Sequence, residues 1–178
     1  MKTVFKLILI IFIFTSFGCT RHIKPDKFDV EPQKILNFKG TAPIKVLVPE
    51  TAEKDYLIEF THPERTHAKI YADLNDLYKN AKELIEKELV GHQVPLSSDA
   101  EKYLKFTITK IQWEIWAGGF SIGSYLDFDI EDGDGYKQHY KVQEGSSMDV
   151  SRAVGGTITR AVEQIFQDKK ILDYIEKQ

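Results

Sequence analysis

A single cysteine among 178 residues leaves nothing for an internal disulfide and too few thiolates for a cysteine-rich zinc site. Neither sign of charge dominates. The chain has 24 basic and 27 acidic residues, a formal charge of −3, so bulk electrostatics offers nucleic acid no reason to bind. Six prolines and eleven glycines are too few for a collagen-like chain. What is present suits a packed core: 42% of residues are hydrophobic, 12% aromatic and 29% charged. The length fits one domain plus its termini.

One apolar run stands out. Leu7 to Phe14 is unbroken, is preceded by Lys2 and Lys6, and continues through Thr15-Ser16-Phe17 to Gly18. It falls short of the roughly 20 apolar residues that cross a bilayer. Positive flank, short apolar stretch and small final residue mark residues 1–18 as a secretory signal peptide. The lone Cys19 follows directly. Ser16-Phe17-Gly18-Cys19 resembles the bacterial lipobox, which implies diacylation of the thiol and cleavage before it. A second acyl chain makes such an anchor stable where one chain is marginal. In lipoproteins of this kind, Asp after the cysteine favours the inner membrane. Thr20 stands here and favours the outer one. Cleavage takes the basic residues from 24 to 22 against 27 acidic, a formal charge of −5. Such a body has little attraction for anionic head groups as a whole.

Residues 19–43 read as the lipidated cysteine and an extended tether. Pro25, Pro32 and Pro43 interrupt it and no period of 2 or 3.6 is sustained. Fully stretched it would span roughly 80 Å. Ile35, Leu36 and Phe38 are its candidates for docking onto the domain. Residues 44–178 form the single domain. Ile44 to Val48, between two prolines, is a strand, and Tyr56 to Thr61 is a weaker one.

Residues 71–90 carry a helical stripe of Tyr71, Leu74, Tyr78, Ala81 and Ile85, closed by Gly91. Residues 102–145 read as a three-stranded antiparallel meander. Its middle strand alternates Ile122, Leu126, Phe128 and Ile130 with Tyr125, Asp127, Asp129 and Glu131. With Gly133-Asp134-Gly135 as the turn and Gly135 left-handed, Asp129 meets His139, Asp127 meets Lys141 and Glu131 meets Lys137. A slip by one residue would break all three pairs and mix the two faces.

The other hairpin has two readings. Without a bulge, Trp116 pairs with Phe120, and Ile111, Trp113 and Ile115 face solvent beside Tyr125. With a bulge near Lys110 the phase flips and Trp113 turns inward. A final helix runs from about Met148 to Phe166, capped by Ser146 or Ser147, with Gly155-Gly156 allowing close approach to the sheet. Ile171, Leu172, Tyr174 and Ile175 add a last apolar turn. The fold class is therefore α+β: a two-layer sandwich, mainly antiparallel, with two helices on one face in the order β(β)αβββα.

No constellation points to chemistry. His62 and His67 lack a third ligand at a supporting spacing. The carboxylates from Asp127 to Asp134 miss the EF-hand pattern and already have partners in the hairpin. No metal, cofactor or catalytic residue is expected. Ile111, Trp113, Ile115 and Tyr125 are the candidate partner-binding residues, as an exposed aromatic patch if the strand is unbulged.

From Ser151-Arg152-Ala153-Val154 to Ile165-Phe166-Gln167-Asp168-Lys169-Lys170-Ile171-Leu172-Asp173-Tyr174-Ile175, the C-terminal helix resembles that of the YajG family of small bacterial lipoproteins. Element order and the cysteine motif agree with that resemblance. It implies no catalytic residue and only lipidation at Cys19. The function expected is a non-enzymatic envelope lipoprotein, held to the outer membrane by the lipid on Cys19 and binding another envelope protein in the periplasm. The alternative is an auxiliary lipoprotein of a lipid or solute transport system that binds a small amphiphile.

Overall fold

The computed structural model describes residues 20–62, 68–116, 121–147 and 149–177. Residues 1–18, expected as a signal peptide, and Cys19, His67 and Gly118-Gly119 lie outside the described residues. In chain order the elements are β1 (Thr20–Ile23), β2 (Ile44–Leu47), β3 (Tyr56–Phe60), β4 (Lys69–Ala72), α1 (Leu74–Gly91), β5 (Lys102–Trp116), β6 (Ser121–Asp132), β7 (Lys137–Ser146), α2 (Val150–Ile165) and α3 (Lys169–Glu176). The strands make one seven-stranded sheet, ordered β1-β4-β3-β5-β6-β7, with β2 also beside β5. Its long ladders are antiparallel, while the short pairings β1–β4, β2–β5 and β3–β5 are parallel. The α+β sandwich expected from the sequence is the architecture observed, enlarged by two short strands.

Period-2 alternation fills the space between sheet and helices. Leu104, Phe106, Leu126, Phe128 and Ile130 are buried on the sheet, against Leu77, Ile85, Ile158, Val162 and Phe166 from the helices. Each such side chain contributes about 1.5–3 kcal/mol on full burial. The helix starts are set by aspartates. Asp73 accepts from Asn75 N at 2.8 Å, Asp149 from Ser151 N at 2.9 Å and Asp168 from Lys170 N at 2.8 Å. Two expectations are corrected here. Tyr71 belongs to β4, because α1 begins only after Asp73. Ser146 ends β7, so the cap of α2 falls to Asp149.

The β6–β7 hairpin has the expected register at all three pairs, Asp129 with His139, Asp127 with Lys141 and Glu131 with Lys137. Gly135 has φ +89°, the left-handed turn that an L side chain rarely adopts. The β5–β6 ladder holds a bulge: Ile108 pairs with Phe128, Lys110 with Asp127, and Thr109 is the extra residue. Trp116 consequently pairs with Ser121 and not with Phe120.

The segment expected as a tether lies against the domain. Residues 20–23 pair with β4, and Ile23, Val30 and Phe38 are buried. Asp26 N donates to Ser151 O at 3.2 Å and Leu36 N to Phe166 O at 3.2 Å. Phe38 stacks on both His92 and Phe166, with centroids 4.1 and 5.1 Å away. Sparse apolar residues hid this, since each anchor docks alone and no period links them. Gly155 shows the same contact from the other side. A Cβ there would overlap the Asp26 backbone, so its close approach serves this segment, while Gly156 faces the Glu144 side chain of β7.

Candidate functional site

The bulge at Thr109 decides the fate of the expected patch. Ile111 is 1% and Trp113 5% exposed, both inside the core. They are corrected from partner-binding surface to packing residues. Trp113 lies 4.6 Å from the Phe60 ring. Ile115 is 53% exposed and Tyr125 is half-buried, on opposite faces of the sheet. The four residues therefore make no common surface.

Tyr125 belongs to a different cluster. Glu114 accepts from Thr61 Oγ1 at 3.0 Å, from Trp116 Nε1 at 2.5 Å and from the Tyr125 hydroxyl. Burial pushes the Glu114 carboxyl up, but these donors outweigh it and hold the group below its ordinary value. Burial and the Glu114 bond together raise the Tyr125 hydroxyl. The Trp116 ring lies over Gly123 and Gly145, which have no side chain to displace it. A carboxylate committed to three donors is a structural knot that orients Trp116 and Tyr125.

The β7 edge offers a second candidate. Among the described residues this ten-residue strand ends the sheet and pairs only with β6. Beside it runs an open cleft of about 360 Å³ between β7, α2 and the docked N-terminal segment. Arg160 spans it, 2.6 Å from Glu163 and 3.8 Å from Glu144. Glu163 is 2% exposed and also lies 3.8 Å from Lys34. Arg152 sits over the Phe28 ring at 5.6 Å. A second shallow groove continues past Val142 and Gln143 toward Gln164 and Gln167. The cleft thus offers paired charges, one cation on an aromatic ring, and a strand edge with backbone groups. Part of that edge is already guarded: Gly145 N donates to Glu144 and the His139 carbonyl accepts from Gln138.

Sequence reasoning missed this cleft because one wall was read as a tether. A signal was nonetheless available. Arg152, Gly156, Arg160 and Glu163 recur at helical spacing opposite the apolar stripe of α2, and form its polar face.

Elsewhere the polar groups also close on one another. Asp168 caps α3 and accepts from both Tyr136 and Tyr140. Burial, followed by Asp168, drives the Tyr140 hydroxyl upward, so it stays protonated. Asp132 takes the Asp134 and Tyr136 amides at 2.9 Å and organises the β6–β7 turn. Asp129 pairs with Lys137 and His139, Asp127 lies 3.7 Å from Lys141, and Asp134 pairs with Lys177. No group of three or more potential metal ligands occurs among the described residues.

No family model and no curated protein matches the sequence. Solved structures do. A protein of Xanthomonas campestris assigned to the DUF330 family aligns with a TM-score of 0.51 at 10% identity, over 89% of this chain and 95% of that one. A minor lipoprotein from Acinetobacter baumannii aligns at 0.41 and 13% identity, over 76% and 97% of the two chains. The rare lipoprotein B of Shewanella oneidensis aligns at 0.32 and 11%, over 68% and 89%. The first is a shared fold; the other two are looser likenesses.

Proposed function

We propose that the protein is a lipid-anchored, non-enzymatic binding module of the bacterial envelope that holds an extended segment of a partner protein along β7. The observation that carries this is the open β7 edge beside the Arg160–Glu163 cleft. Added strands gain affinity from main-chain hydrogen bonds and specificity from alternate side chains. Lys34, Arg152 and Arg160 on the wall, with Glu31, Glu144 and Glu163 between them, suit a polar segment of mixed charge. The anchor is Cys19, read from the cysteine motif, with Thr20 favouring the outer membrane and the domain in the periplasm. The YajG resemblance supports the same reading. The amphiphile-binding alternative finds less in its favour, because both grooves along β7 are open and rimmed with charge.

The test is site-specific photo-crosslinking in living cells. A reactive residue at Gln143 on the β7 edge should capture one dominant envelope protein. The same residue at Lys79, on the exposed face of α1, should not. Equal capture at both positions, or none at Gln143, would remove the edge from consideration. A mature mass unchanged when lipoprotein signal processing is inhibited would remove the anchor.

A further inference from the structure

Strand β7 turns every second residue toward its open edge, and its own contacts say which. In an antiparallel ladder the N–H and C=O of one residue point to the same side. Gly145 N donates to the Glu144 side chain and the His139 carbonyl accepts from the Gln138 side chain, so both residues turn their backbone away from β6. Residues 141 and 143 share that parity. The amides and carbonyls of Lys141 and Gln143, and the carbonyl of Gly145, therefore face outward along the edge.

Helix α2 runs back beside this strand. Gly156 abuts Glu144, since a Cβ there would lie 2.8 Å from the Glu144 Cγ, while Gln164 and Gln167 border the groove at Val142. Arg152 stands one turn before Gly156, about 6 Å nearer the end of β7. Together with Phe28 and Gly145 it lines the cleft beside the strand.

The charges in that cleft are matched, with one exception. Asp29 holds Lys87 at 2.5 Å and Glu31 holds Lys34 at 2.6 Å. Glu144 and Glu163 share Arg160, at 3.8 and 2.6 Å. Arg152 is exposed and has neither an ion pair nor a side-chain hydrogen bond among the described residues. Its guanidinium lies over the Phe28 ring instead, 5.6 Å from the centroid. A ring occupies at most one side of a guanidinium. The remaining N–H donors keep the planar fork that fits a carboxylate, and a side chain already held on a ring has less freedom to lose on binding.

We propose that the segment held along β7 presents an aspartate or glutamate side chain to Arg152. The inference rests on the β7 reading above and names the group which that edge recognises. Charge complementarity selects the occupant. An acidic side chain supplies the partner that Arg152 lacks, whereas a basic one would meet a like charge and carboxylates that already hold cations. A terminal carboxylate fits less well. The Gly145 carbonyl faces the same end of the edge and calls for an N–H, which an internal residue of an added strand supplies. Arg152 also fixes the register of that strand. Successive side chains point to opposite faces, so a slip by one residue would turn the acidic group away from α2.

The experiment uses the full-length protein in living cells, with a photo-crosslinking residue at Gln143. Mass spectrometry identifies the captured protein and the linked peptide, which should carry an internal Asp or Glu close to the link. Arg152→Glu should lower capture at least tenfold, because it sets two like charges against each other across the interface. Arg152→Lys keeps the charge without the fork and should fall between the two. Changing the partner's acidic residue to Arg should restore capture by Arg152→Glu. An unchanged thermal midpoint of the purified Arg152→Glu protein shows that the loss is not one of folding; if that variant unfolds, Arg152→Gln makes the same test through a severalfold loss. No capture at Gln143 by the wild type overturns the β7 reading and this proposal with it. Capture by the wild type that Arg152→Glu or Arg152→Gln leaves unchanged overturns the Arg152 contact alone. So does a linked peptide with no acidic side chain, or one that meets the site with its chain end.

Discussion

Along β6, the ladder to β7 runs through ten successive pairs, whereas the ladder to β5 shifts by one residue at Thr109. The first hairpin is specified by groups within it. Asp129 has Lys137 at 2.9 Å and His139 at 2.8 Å, Asp127 has Lys141 at 3.7 Å, and Gly135 closes the turn. The second is specified from outside. At the bulge, Ile111 N donates to the Tyr56 hydroxyl at 3.2 Å, and the Tyr78 hydroxyl donates to Ile108 O at 3.5 Å. These two tyrosines, from β3 and α1, fill the interval on β5 between the pairing with β2 at residues 102–105 and that with β3 at residues 112–113. The lesson concerns where the information lies. A hairpin whose register rests on its own charge pairs is local, while a bulge that rests on distant hydroxyls belongs to the whole domain.

The sharpest way to break the comparison is to truncate the side chain that the bulge turns inward. Ile111→Ala should cost about 2–5 kcal/mol, read as a lower midpoint of the thermal transition. A variant melting near the wild type would show that Ile111 does not pack in the core and that the bulge does not set the phase. Tyr56→Phe is milder, leaving the Ile111 amide without its partner at a cost of about 1–2 kcal/mol. Denaturant unfolding should show a lower midpoint, with amide exchange faster at Ile111 than at Phe128.

In the charge-paired hairpin the effects are smaller. Asp129→Asn should cost about 0.2–1 kcal/mol, read from the same unfolding curves. Its pH dependence has a definite sign. Hydrogen bonds from Lys137 and then His139 hold the Asp129 carboxyl below its ordinary value. The stabilisation is therefore complete above the unfolded carboxylate value of about 3.9 and is lost as pH falls through the lower folded one. The mutant should lack this part of the acid response. The smallest effect is expected of Trp113→Phe, which loses ring area but also a buried N–H that has no partner among the described residues, for a net change within about 1 kcal/mol. A loss several times larger would mean that Trp113 Nε1 has a partner in solution.

Legibility followed the same division. The stripe of α1, the alternation of β6, the β6–β7 register and the apolar face of α2 could be read directly, because each is a periodic pattern within one element. Strands β1 and β4, of four residues each, are too short for a period, and both are stabilised by pairing with chain far away in sequence. At the start of α2, Ser146 and Ser147 could cap as well as Asp149 from sequence alone. The candidate site was the least legible part. Ile111 and Trp113 have the composition of a binding patch and the burial of a core, and the cleft at Arg160 exists only because residues 28–34 fold back over α2.

The sequence by itself determined the α+β composition and every feature that repeats within a strand or helix. Periodicity and opposite charge act between residues close along the chain or across a tight turn, so they are written locally. Tertiary structure alone decided the phase of β5 beyond Thr109, the docking of residues 20–43, and thereby which sheet edge stays open. Those outcomes depend on contacts between segments 30 or more residues apart, such as Tyr78 with Ile108, Tyr56 with Ile111 and Asn80 with Asp26. Their free energy appears only when the intervening chain has folded.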